Sequence, residues 1–131
     1  MGESHDLMNL DWVQADIEQS LQQAQQALEA YLEDAVSMHL QTSYEAVHQV
    51  HGSLLMAGVP GAIMLAEQIS NLLKAMLAEQ VEDLDGACSA LAQALVYMPS
   101  YLNRVKSDAE DAPALLRTVM NDIREVLGEA P

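Results

Sequence analysis

Two histidines three residues apart, His48 and His51, stand beside a glycine in the segment Val47-His48-Gln49-Val50-His51-Gly52-Ser53-Leu54-Leu55-Met56-Ala57-Gly58. An exposed imidazole with one free ring nitrogen can attack a phosphoryl group. A small neighbour lets a bulky phosphoryl carrier approach it. Glycine inside a helix costs about 0.5–1 kcal/mol relative to alanine, so Gly52 asks for a reason, such as close approach of another backbone or of a partner. On a helical wheel, Leu40, Val47, Val50 and Leu54 cluster, and His48 falls at the edge of that apolar stripe. Gln41, Glu45 and Gly52 share its polar side, so His48 is expected to be at least partly exposed. His51 falls within the stripe and reads as a boundary or core histidine. Both imidazoles could reach one metal ion from adjacent turns. With a single cysteine and only His39 nearby, no metal site is expected, and no cofactor.

The elements that position these residues are helices. Leu10, Val13, Ile17, Leu21, Ala24, Leu28, Tyr31 and Leu32 recur at steps of three and four, which predicts a helix over about 10–34. Asn9 or Asp11 would cap it, and Trp12, off the stripe, would cover an end of the bundle. Leu40, Tyr44, Val47, Val50 and Leu54 mark a second helix that Gly58-Val59-Pro60-Gly61 stops, Gly58 suiting a left-handed cap and Pro60 the first turn of the next helix. Ala62, Leu65, Ile69, Leu72, Leu73, Met76 and Leu77 mark the third. Asp83 or Asp85 would cap a fourth with Leu84, Ala87, Leu91, Leu95, Met98, Leu102 and Val105, in which Pro99 predicts a kink or break near Met98. After a polar connector over Ser107–Asp111, Pro113 opens a fifth with Leu115, Leu116, Val119, Met120, Ile123 and Val126. The expected fold is all-α: an antiparallel up-down four-helix bundle with a fifth C-terminal helix, residues 1–9 as an extension, 10–127 as the bundle and 128–131 as a tail.

Composition agrees. Half of the 131 residues are apolar but only 4% are aromatic, with no Phe, so the core must be aliphatic, and a β-sandwich or barrel is nearly excluded. The eight methionines read as gap fillers in that core. Twenty acidic against five basic residues give a net charge of −15, which argues against a nucleic-acid ligand and an anionic membrane surface. Cys88, the one cysteine, reads as a small buried hydrophobe, and with no signal peptide or membrane span in view, a cytoplasmic setting is expected.

The segment around His48 resembles the histidine-phosphotransfer (HPt) motif, His-x-x-Lys-Gly-Ser/Ala, with His48 at the phospho-acceptor position, Gly52 at the helical glycine and Gly58 at the later glycine. The resemblance extends to the N-terminal domain of the CheA-like kinase of type IV pilus chemosensing (the ChpA/PilL type, to which FimL is related). It is carried by His5–Ala30, Val47–Gly52, Ala62–Glu67, Met98-Pro99-Ser100-Tyr101-Leu102 and Met120-Asn121-Asp122-Ile123-Arg124. It implies a bundle with His48 exposed midway along the second helix. It also implies a role in signalling that controls twitching motility, and a tail that ends within a longer protein.

This sequence departs from the motif at two places. The family's lysine is His51 here, which supplies its charge only when protonated. The third-helix glutamate that orients the reactive imidazole falls on Ser70, with Glu67 one turn earlier as a candidate substitute. The main expectation is therefore a phosphocarrier module, lacking a complete catalytic site and any Gly-rich nucleotide loop. A kinase domain of the same or a partner protein would phosphorylate His48, with His51, Glu67 and Ser70 as candidate supporting residues. A response-regulator receiver would dock across Glu45, His48, Gly52 and Leu55. The alternative is a degenerate interaction module that binds a pilus scaffold or localisation protein, as FimL-like relatives without the histidine imply. A third reading, self-association, would use Leu55, Trp12 or Met8.

Overall fold

Leu, Ala, Met, Glu and Gln at helical spacing form five helices in the computed structural model: α1 (Gly2–Asp34), α2 (Ser37–Ala57), α3 (Pro60–Leu77), α4 (Leu84–Asp108) and α5 (Pro113–Leu127). The backbone is described for residues 2–108 and 113–128, and side chains for 13–105 and 116–128. No strand occurs among the described residues. Packing closes a ring, with α1 against α2 and α4, α2 against α3, and α3 against α4. The fifth helix lies on α3 and α4. Short connections between neighbours in this ring are the signature of an antiparallel bundle, and α3, packed against α2, α4 and α5, is its central support.

The predicted stripes supply the core. Ile17, Leu21 and Leu28 of α1, Val47, Val50 and Leu54 of α2, Leu65, Ile69, Leu72 and Leu73 of α3, and Leu91, Leu95 and Leu102 of α4 are buried. Leu116, Met120 and Ile123 complete it from α5, and Cys88 is buried too. Its burial, with the nearby Asp85 charge, pushes the Cys88 thiol above its ordinary range. Ser43, fully buried, donates its hydroxyl to the Ala24 carbonyl at 3.2 Å and ties α2 to α1.

The helix ends follow the sequence in most cases. Gly58 caps α2 in the left-handed region (φ 71°), its amide donating to the Leu54 carbonyl at 2.9 Å. Pro60 opens α3. Of the two aspartates proposed to cap α4, Asp83 does so, accepting the Gly86 amide at 2.9 Å. At the α1–α2 turn, the Val36 amide and then the His39 ring, 3.0 Å away, hold the Asp34 carboxyl below its ordinary value.

Four expectations are corrected. The first helix begins at Gly2, not near Leu10, so Asn9 and Asp11 lie inside α1 and do not cap it. Leu32 and Leu84, periodic with their stripes, are 61% and 42% exposed, because each lies at a helix end where no neighbouring helix covers it. Met76, Met98 and Met120 fill the core, but Met38, Met56 and Met64 face solvent. Finally, of the kink or break expected near Met98 the break does not occur: α4 is one helix through Pro99. Pro99 has no amide to give the Leu95 carbonyl, four residues earlier. The Gln25 side chain of α1 supplies the missing donor, its Nε2 at 3.1 Å from the Leu95 oxygen. The side chains of Met8, Leu10, Trp12 and Leu115, and residues 109–111 of the polar connector, lie outside the described residues, whereas Ser107 and Asp108 continue α4.

Candidate functional site

Helix α2 carries one solvent-facing ridge. Glu45, His48, Gly52 and Leu55 are all exposed, at spacings that keep them on a single face. Leu55 is 57% exposed and Met56 beside it 72% exposed. The opposite face of the same helix buries Leu40, Val47, Val50 and Leu54 against α1 and α3, which fixes the ridge outward.

His48 stacks on Tyr44 from the preceding turn, with ring centroids 6.4 Å apart and planes inclined by 23°. Both rings line an open cleft of about 460 Å³ between α2 and α3. Its α3 wall includes Glu67, Gln68, Ser70 and Lys74, and its α2 wall includes His51. The four candidate catalytic and supporting residues, His48, His51, Glu67 and Ser70, thus meet around one opening.

Within the cleft the partners are not those the HPt motif implies. Glu67 Oε2 lies 3.7 Å from His51 Nε2, close enough for an ion pair when the ring is protonated but too long for a hydrogen bond. His51 is half-buried, and its Nε2 is buried without a hydrogen-bond partner, as is Oε1 of Gln68. His48 makes no hydrogen bond to a carboxylate among the described residues. It therefore has nothing to fix its tautomer or to stabilise an imidazolium as a carboxylate would.

Lys74 is the residue that sequence reasoning missed. Its Nζ sits over the Tyr44 ring, 5.9 Å from the centroid, so a cation reaches the cleft from α3 where the HPt motif places one on α2. One signal was present: Lys74 is one of only five basic residues and follows Ser70 by a helical turn.

Gly52 opens on the other side of the ridge, into a groove that it lines with Asp16, Gln19 and Gln23 of α1 and Met56. A Cβ placed on Gly52 meets nothing within 4 Å. No neighbour among the described residues requires the glycine, so its helix cost is not offset by packing against them. Gly52→Ala is accordingly expected to raise the unfolding free energy by about 0.5–1 kcal/mol, as read from urea denaturation. A loss of stability would show that the gap serves internal packing after all.

Among the described residues there is no group of three or more His, Cys, Asp or Glu side chains placed to hold a metal ion. None of the described helices is long and apolar enough to cross a membrane.

No solved structure matches the chain. The chain is 28% identical over 122 residues to the scaffold protein FimL of Pseudomonas aeruginosa, an alignment covering 92% of this chain and 22% of that protein. The chain thus corresponds to about a fifth of its relative's length. The sequence profile of the FimL C-terminal domain matches residues 9–123, which takes in most of the bundle and the whole α2–α3 cleft, and the chain belongs to the FimL C-terminal domain family.

Proposed function

We propose that this bundle is a protein-interaction module of the scaffold type, with an HPt-like fold, that docks a protein of the type IV pilus chemosensory machinery on the α2 ridge. The observation that carries this reading is the state of the ridge. Gly52 leaves a gap that nothing among the described residues requires, next to exposed Leu55 and Met56. Uncovered apolar side chains beside a backbone gap suit close approach by a partner. His48, by contrast, has no carboxylate among the described residues to orient it as a phosphoryl acceptor, since Glu67 is turned to His51. Similarity to a scaffold protein supports the same choice.

The second reading keeps phosphotransfer. An exposed His48 with a lysine across its cleft could still accept a phosphoryl group from a kinase domain and pass it to a response-regulator receiver. Substitutions separate the two readings, because His48→Gln removes the nucleophile and keeps the shape. In the host organism, docking predicts that His48→Gln retains pilus-driven surface motility, while Gly52→Arg and Leu55→Glu lose most of it. Both residues of the latter pair are exposed, so the folded bundle should survive the changes, which circular dichroism checks. Docking also predicts no acid-labile phosphohistidine after incubation with a CheA-type kinase domain and ATP. Label on the wild type that disappears in His48→Gln, together with lost motility in that variant, would replace docking with phosphotransfer.

A further inference from the structure

The charge of the chain makes Lys74 unusual. With twenty acidic side chains against five basic ones, a lysine would be expected to find a carboxylate. The ion pairs seen among the described residues join His39 to Asp34 and His51 to Glu67, and neither involves Lys74. Its ammonium is held instead against the face of Tyr44, at 5.9 Å from the centroid. Tyr44 in turn stacks on His48. The three side chains run across the opening, from Lys74 on the α3 wall to Tyr44 and His48 on the α2 wall, and all three line the same cleft.

Other groups in the opening have unmet hydrogen bonds. His51 Nε2 and Gln68 Oε1 are buried without partners, and Ser70 and Asn71 line the same cleft with a hydroxyl and an amide. Buried polar atoms without partners are costly, so a cleft that gathers them suits a polar ligand. The sign of that ligand follows from Lys74. A cation would be repelled by the ammonium, and among the described residues Glu67 is the one carboxylate lining the cleft. Glu45, one turn before His48 on the ridge, lies outside the cleft lining, and acidic side chains more than about 8 Å away are largely screened at physiological ionic strength.

Resting on the docking reading, we propose that Lys74 and His48 form a subsite for one oxyanion, presented as a side-chain carboxylate by the docked protein. The ammonium of Lys74 gives the charge-assisted hydrogen bond, and the exposed ring of His48 the second donor. The apolar ridge at Leu55 and Met56 then supplies area, and the subsite supplies register. Lys74 also sits in the last turn of α3, where a cation complements the helix dipole. That bland role predicts an effect on stability and none on anion binding.

The test uses the whole chain with isotope labels, titrated with acetate and, separately, with inorganic phosphate. Sodium chloride holds the ionic strength and buffer the pH constant. The ring C–H signals of His48 and the Cε–H signal of Lys74 should move saturably with both anions. Lys74→Gln should weaken the response of His48 by about tenfold or more, as loss of a charge-assisted hydrogen bond implies, and Lys74→Arg should restore most of it. Response to phosphate alone would overturn the carboxylate anchor in favour of a phosphoryl ligand. No saturable movement, or movement that survives Lys74→Gln, would overturn the subsite. Lost motility in Leu55→Glu alongside a failed titration would leave docking standing and remove only the subsite; retained motility there would remove docking itself.

Discussion

Truncating Ile69 to alanine is expected to lower the unfolding free energy by about 2–5 kcal/mol and the thermal midpoint by about 10 °C or more. Ile69 is fully buried at the middle of α3, the helix that α2, α4 and α5 all pack against. Deleting its outer carbons opens a cavity with walls on several helices, which cannot all move in to fill it. Ile69→Val, which removes one methylene, should cost only about 0.5–1.5 kcal/mol. Leu55→Ala gives the contrast. It deletes a side chain of the same size that is 57% exposed, and should stay within about 0.5 kcal/mol of the parent. Urea denaturation of the three variants checks the series. Equal losses for Ile69→Ala and Leu55→Ala would mean that Leu55 is packed rather than free to meet a partner. Because Gln68 and Ser70 flank Ile69 on the wall of the cleft, Ile69→Ala should also loosen the site, whereas Leu55→Ala leaves the cleft walls intact.

The bundle was legible because its signals are local. Ile17, Leu21, Ala24 and Leu28 repeat at helical spacing and are all buried, and Gly58 and Pro60 mark the α2–α3 turn by backbone geometry alone. The exposure of His48 also follows from its angle to Val47, Val50 and Leu54, with no knowledge of any other helix. Periodicity fails at the ends. Leu32 and Leu84 keep the spacing, but their neighbours have already turned away. Methionine type does not discriminate either, since the same flexible thioether suits a core gap at Met98 and an open surface at Met56.

The partners within the site were less legible, because they are long-range. Spacing alone gave Glu67 and Ser70 as candidates to support His48. Only the packing of α3 on α2 shows that Glu67 faces His51, and that Lys74, one turn beyond Ser70, reaches Tyr44. The lysine of the HPt motif is local to His48, and its replacement by His51 was visible in the sequence. A cation arriving from a different helix was not, because no pattern along one strand of sequence encodes it.

Pro99 is the clearest case of a local rule overridden by a distant side chain, and it leads to the second large effect. Gln25→Ala is expected to cost about 1–3 kcal/mol, the penalty for leaving a buried acceptor without a partner. The acceptor is the carbonyl of Leu95, a residue with no solvent exposure, and Gln25 bonds it at 3.1 Å. An ordinary truncation of a half-buried glutamine would cost less, so magnitude alone separates the two accounts only in part. The double substitution separates them fully. In a Pro99→Ala background the amide at position 99 can donate to the Leu95 carbonyl as in any helix. Gln25→Ala should then cost far less than it does beside Pro99, with a coupling of about 1 kcal/mol or more in the double-mutant cycle. Equal costs in both backgrounds would show that Gln25 stabilises α1 against α4 by packing alone, and that α4 passes Pro99 without help.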